Sequence, residues 1–406
     1  MTDSVIEIKN LSYGINDKEI LRDISFSINA GEFVGLIGPN GAGKTTLLKC
    51  INGINKADGT IKIKGTLLET YPEKKLAGEI ALMHQNTTIG YPFSAMDIVL
   101  MGRYPYLKRF QQEGREDYAI ARKNMIYTDT EKLGNSLITE MSGGERQRVL
   151  FAKTLTQETD IVLLDEPTAS LDITYQEQIF KYARDLSQQG TTIVAAIHDL
   201  KIAARYCTRL VLVNNGKIVA EGTPEEVLTT ENLSGVYGIN ALVYRNRITG
   251  QLDLYINRES IGGKCGRVHV IGGGGSASGV LRTLYEYGYT VSAGVFSHGD
   301  SDIGSAEVFG AEYLVEKPFS EISQDIHVKN INCIKNAEVT ILCNMPFGLQ
   351  NIKNLEAAIN AQKLVIIEDE QPETRDFTDG KAIELYKHLK KSAVAVITSA
   401  QLHEVL

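Results

Sequence analysis

Residues 38–46 read Gly-Pro-Asn-Gly-Ala-Gly-Lys-Thr-Thr, between the apolar run "FVGLIG" (33–38) and "LLKCI" (47–51). Gly38, Gly43, Lys44 and Thr45 satisfy the spacing G-x-x-x-x-G-K-[ST], in the strand-to-helix setting that this kind of loop requires. Glycines allow the backbone N–H groups to point inward, and the N-terminus of the following helix adds its positive end. The stretch Gly38, Pro39, Asn40, Gly41, Ala42, Gly43, Lys44, Thr45 and Thr46 is therefore read as a phosphate cradle. Lys44 reaches the β- and γ-phosphates, and the Thr45 hydroxyl serves Mg²⁺.

Working outward, "IVLLDEP" (161–167) ends an apolar run in two adjacent acids, Asp165 and Glu166. A desolvated carboxylate is costly without a partner, so packing alone does not account for them. Beside a Mg-nucleotide, Asp165 joins the metal's coordination sphere and Glu166 orients or deprotonates the attacking water. Between loop and acids lies "MSGGERQRVLFAKTL" (141–155), where Ser142, Gly143 and Gly144 precede a helical pattern. This is a second helix N-terminus able to meet phosphate. One nucleotide in one chain does not need two.

These motifs, in this order, make residues 1–258 resemble the ATP-binding subunit of an ATP-binding-cassette (ABC) transporter. The family's usual signature, LSGGQ, stands here as Met141-Ser142-Gly143-Gly144-Glu145; methionine keeps the apolar character and glutamate introduces a charge. The resemblance implies an α/β fold of the P-loop NTPase type, with ATP and Mg²⁺ as cofactors. It also implies a homodimer in which one copy's signature closes over ATP held by the other. By the same resemblance Tyr13, in "LSYG", stacks on adenine, and Gln85, in "LMHQN", touches Mg²⁺ and water. Asp172, ending Ser170-Leu171-Asp172, belongs to the loop that crosses the dimer, and His198 is the switch that contacts the γ-phosphate.

The segment "GYPFSAMDIVLMGRYPYLKRF" (90–110) falls where this family grips its membrane subunit, and its second half resembles the branch importing ferric siderophores, haem and cobalamin. Arg103, Tyr104, Tyr106, Lys108 and Arg109 are the candidate docking surface. The partners implied are permease subunits and an extracytoplasmic substrate-binding protein, with the chain peripheral on the cytoplasmic face of the membrane. An exporter motor and a non-transport ABC ATPase remain open alternatives.

Bulk properties agree. The 406 residues suggest more than one domain, and 43% hydrophobic with 23% charged residues is ordinary for a globular chain with a core. A net charge of −8 argues against a general nucleic-acid binder. The N-terminus lacks a signal-peptide pattern, and no apolar run approaches the roughly 20 residues that span a bilayer. Five cysteines without a C-x-x-C pair suggest a reducing compartment and no zinc cage.

A polar, glycine-bearing linker, Asn257–Gly266, precedes a second α/β pattern, read as a smaller Rossmann-like domain over 259–406. "VIGGGGSASG" (270–279) follows a strand and opens a helix, and Gly272, Gly274 and Ala277 fit G-x-G-x-x-A. The dinucleotide fingerprint expects an acid closing the second strand. That strand instead ends at Ser297, with Asp300 three residues later, which weakens a nicotinamide reading. "NMPFGLQNIKNLEAA" (344–358) reads as another strand-to-helix turn facing the same crevice. Some archaeal and bacterial cobalamin-type importer ATPases carry a C-terminal extension of about this size, which favours cobalamin among the cargoes.

Overall fold

The computed structural model describes residues 4–16, 18–84, 89–168, 172–246, 249–257 and 265–405. They form two compact units, Met1–Gly238 with Gly250–Asp253, and Ile239–Thr249 with Leu254–Leu406.

The first unit holds strands β1 (Ser4–Ile15), β2 (Lys18–Asn29), β3 (Phe33–Ile37), β4 (Asp58–Ile63), β5 (Thr66–Leu67), β6 (Ile80–Met83), β7 (Ile161–Asp165), β8 (Thr192–Ala196), β9 (Arg209–Asn214) and β10 (Lys217–Gly222). Among the described residues, β10-β9-β3-β8-β7-β6 form one sheet and β2-β1-β4-β5 an antiparallel second. Every residue of β3, β7 and β8 is buried. Their largely apolar sequences fit that position, since central parallel strands are covered on both faces. The helix Lys44–Ile51 lies between the sheets, its Leu47, Leu48, Cys50 and Ile51 in one core with Ile6 and Ile8 of β1 and Leu163 of β7. The loop before that helix is thus anchored in the core on both sides.

Residues 95–127 do not form one continuous helix. Helices Ala95–Leu100 and Arg115–Tyr127 flank tight 3₁₀ turns at Met101–Tyr106 and an irregular stretch. Pro105 supplies no backbone donor there. The interruption turns Arg103 inward, which corrects its reading as a docking residue. Its Nε donates to Asp117 at 3.0 Å and its Nη1 to Glu158 at 2.9 Å and the Thr156 carbonyl at 3.2 Å. The guanidinium also stacks on Tyr106 at 4.1 Å. By contrast Tyr104 is 68% and Phe110 93% exposed. Removing one partner of a buried pair typically costs about 3–5 kcal/mol. Glu158 is half exposed, so Arg103→Ala is expected to destabilise the first unit by about 3 kcal/mol, read as a lowered chemical-denaturation midpoint.

The second unit contains most of a hairpin, β11 (Asn240–Arg245) and β12 (Leu252–Asn257), which lies before the boundary expected at residue 258. It continues with β13 (Cys265–Ile271), β14 (Tyr289–Ser297), β15 (Glu312–Glu316), β16 (Val339–Leu342), β17 (Leu364–Ile367) and β18 (Ala395–Ile397). These six pair in parallel in the order β15-β14-β13-β16-β17-β18. The order reverses between β13 and β16, where ligands of open α/β sheets sit, beyond the strands' carboxyl ends.

Glu316 closes β15 by capping the turn beyond it, accepting the Ser323 amide at 2.7 Å and the Lys317 amide at 2.9 Å. These backbone bonds, that from Ser323 foremost, lower its pKa from 4.5 to about 2. A depressed carboxylate contributes stability above its unfolded pKa and loses it as pH falls through the folded one. Acidification from about 4.5 to about 2 is therefore expected to weaken the second unit. Glu316→Gln should flatten that part of the stability–pH curve, followed by urea unfolding.

Candidate nucleotide-binding site

The loop after β3 encloses a cavity of about 580 Å³, lined by Asn40 to Thr46, Glu166 and residues of β2 and the β9–β10 turn. Gly38 enters it at φ +148, and a Cβ there would stand 2.0 Å from the Val213 carbonyl oxygen, so only glycine fits. Lys44 folds back across the loop, its Nζ donating to the carbonyls of Gly38 at 2.7 Å and Pro39 at 3.1 Å. Burial lowers the Lys44 pKa, and Glu166 and Asp165 oppose that shift. The ammonium is therefore held among acceptors that an incoming phosphate can replace.

Thr45 and Asp165, 120 residues apart, meet directly: the Thr45 hydroxyl donates to Asp165 Oδ1 at 2.7 Å. Asp165 is 2% exposed, and burial raises its pKa against the Thr45 bond, which lowers it. Glu166 leaves the strand at φ +47, a conformation rare outside glycine. That turn aims its carboxylate at the cavity, where Oε1 hydrogen-bonds His198 Nε2. Phosphate loop, Asp165, Glu166 and His198 thus converge.

Other candidates lie elsewhere. Ser142, the N-cap of helix Gly143–Thr156, is exposed and does not line the cavity. The charge that departs from the usual signature has a structural partner. Glu145 accepts the Ser142 amide at 2.9 Å and hydroxyl at 2.7 Å, a capping box available equally to glutamate and glutamine. These Ser142 bonds hold the Glu145 pKa below its ordinary value. Asp172 caps the helix Ile173–Gln188, accepting the Tyr175 amide at 3.0 Å. Tyr13 is partly buried against the core of the first unit and is not among the cavity's lining residues. Gln85, Ser170 and Leu171 fall outside the described residues.

One contribution escaped the sequence reading. Asn215 and Gly216, at φ +48 and +76, form the tight turn between β9 and β10 and line the cavity. The Gly216 amide donates to the Ala42 carbonyl at 3.1 Å, and its carbonyl accepts the Arg22 amide at 2.8 Å. The turn therefore clips the phosphate loop to β2. Asn-Gly between two apolar runs was the available signal.

The sequence pattern of the ABC transporter family matches residues 21–169. The cobalamin import ATP-binding protein BtuD of Halobacterium salinarum is 36% identical over 321 residues, covering 78% of this chain and 80% of that protein. The chain belongs to the ABC transporter ATP-binding proteins. It is accordingly an ABC-type ATPase coupled to transport. The 78% share exceeds the first unit, so the likeness to the halobacterial protein runs into the second. The hemin import ATP-binding protein HmuV of Plesiomonas shigelloides is 35% identical over 266 residues, 61% of this ABC protein and 100% of its own length. Among solved structures, an ABC transporter of metal-chelate type in an inward-facing conformation superposes with a TM-score of 0.55 at 26% identity. It covers 63% of this chain and 97% of that one. The MJ0874 family pattern matches residues 291–403, within the second unit. Among the described residues no helix of this ABC ATPase is long and apolar enough to cross a membrane.

Proposed function

We propose that this chain is the ATP-hydrolysing motor of a metal-chelate importer, with cobalamin as the cargo and haem or a ferric siderophore as the nearest alternatives. The observation carrying this reading is the 36% identity to a cobalamin import ATPase across 78% of the chain, a share that reaches into the second unit. The permease and an extracytoplasmic binding protein complete the importer, and the motor sits on the membrane's cytoplasmic face.

The mechanism follows from the site. ATP phosphates enter the loop at Lys44 and the amides of Gly41 to Thr46, while Tyr13 turns to the base. Thr45 and Asp165, joined at 2.7 Å by an oxygen-only contact, fit a hard cation such as Mg²⁺, with Gln85 as a further ligand. When bound, that ion neutralises charge on the β- and γ-phosphate oxygens. Glu166 takes the proton of the attacking water, and His198 holds the Glu166 carboxylate and faces the γ-phosphate. The exposed Ser142-Gly143-Gly144 terminus lies apart from its own chain's cavity, which suits closure over ATP held by a second copy, with Asp172 near the crossing. The parallel 3-2-1-4-5-6 strand order supports a Rossmann-like reading of the second unit.

Uptake tests the cargo. Cells carrying the chain and its permease are expected to lose labelled cobalamin uptake with Lys44→Ala and to keep that of haem and siderophore. Unchanged cobalamin uptake would overturn the assignment.

A further inference from the structure

The second unit carries the outward marks of a dinucleotide site: a glycine loop after β13, a helix behind it, and a crevice where the strand order reverses. Its loop has the packing that such sites share. A Cβ on Gly272 would meet the Ala277 methyl at 2.6 Å, so this glycine permits close approach of helix and strand. Gly274 and Gly275 hold φ +65 and +88, conformations a tight turn demands. Every one of these glycines is explained by the loop's own geometry.

The anion positions are what differ. The Gly274 amide donates to the carboxylate of Asp300, at 3.1 Å to Oδ1 and 3.0 Å to Oδ2. At the N-terminus of helix Ser278–Glu286, the Ala277 amide donates to Asp302 Oδ2 at 3.1 Å and the Ser278 hydroxyl to Oδ1 at 2.8 Å. Asp302 is 0% exposed, so its carboxylate is built into the fold and cannot swing aside as a surface side chain would. A pyrophosphate binds such a loop through these same amides and this same helix end. Here it would meet two carboxylates already on them, with like charge at contact distance.

Resting on the Rossmann-like reading, we infer that the second unit accepts no dinucleotide, because Asp300 and Asp302 act as internal anions that fill the pyrophosphate position. Two further features agree. No acid closes β14, which ends at Ser297, so the usual ribose contact is missing from that strand end. A cavity of about 410 Å³ lined by Ser276 and Asn344 brings in a further acid, Asp369, and the crevice formed by Gly272–Gly274, Asp300, Pro346 and Asn351 measures about 170 Å³. The turn at 344–351 does line this crevice, as its sequence suggested, and its Asn351 and Gln350 add polar groups without adding positive charge.

NADH titration followed by fluorescence tests the inference, using full-length protein with Lys44→Ala so that the first unit's loop does not contribute. The parent is expected to show no saturable binding. Adding Asp300→Asn and Asp302→Asn is expected to bring saturable NADH binding into the measurable range, since removing negative charge at a helix N-terminus favours an incoming anion. Where the double change prevents folding, Asp300→Asn alone, at a partly exposed position, is expected to give a smaller gain in the same direction. Saturable NADH binding by the parent would overturn the inference while strengthening the Rossmann-like reading, so the two fail separately. A folded variant that gains nothing would also overturn it, because the carboxylates would not be what excludes the ligand.

Discussion

Lys44→Ala is expected to lower ATP affinity by about 10- to 100-fold and to abolish measurable hydrolysis. The contact that is lost sets the size of this effect. Hydrogen bonds to charged groups are worth about 1.5–3 kcal/mol, and each 1.4 kcal/mol is a factor of ten in a dissociation constant. Lys44 is positioned for this before ATP arrives, since its Nζ rests on the Gly38 and Pro39 carbonyls at 2.7 and 3.1 Å. Both carbonyls belong to the loop itself, so the ammonium is preorganised rather than recruited. The loop's shape does not depend on Lys44 alone, because the Gly216 turn holds Ala42 and the buried helix Lys44–Ile51 holds the other end. The variant should therefore remain folded, and calorimetric titration with ATP distinguishes lost affinity from lost structure. Wild-type affinity in a folded variant would remove Lys44 from the site.

The second large effect is at Glu166. Glu166→Gln keeps the side chain's size and its contact with His198 but removes the base. Hydrolysis is expected to fall by about 10²- to 10⁴-fold with ATP binding retained. The geometry makes this carboxylate hard to replace. The backbone at Glu166 sits at φ +47 directly after a strand whose five residues are all buried, so no neighbouring acid can take its direction. Asp165, one residue back, is 2% exposed and committed to Thr45 at 2.7 Å. Full turnover in Glu166→Gln would reassign the base.

Much of this site was legible because its parts are local. A glycine loop between strand and helix, two acids ending a strand, and Ser-Gly-Gly before a helix each state their chemistry within a few residues. The parallel strands of both units were legible for the same reason, as short apolar runs punctuated by glycine. What was not legible depends on distant partners. Arg103 reads as a surface cation until Asp117 and Glu158, 14 and 55 residues away, are placed around it. The glycine loop of the second unit fits the dinucleotide spacing until Asp300 and Asp302, some 25 residues on, occupy its amides. The Glu145 departure from the usual signature reads as an added charge, and its capping-box partner shows only once the helix end is seen. In each case a charge pattern was visible and its partner was not.

We propose that hydrolysis takes place between two copies of this chain, one supplying the phosphate loop and the other the Ser142 helix end. The most direct test is the mass of the Glu166→Gln protein in solution, measured by light scattering with ATP and Mg²⁺ and again with ADP. A mass doubling with ATP that is absent with ADP, and lost on adding Ser142→Arg to block the helix end, is the predicted result. A protein that binds ATP and stays monomeric would contradict the account.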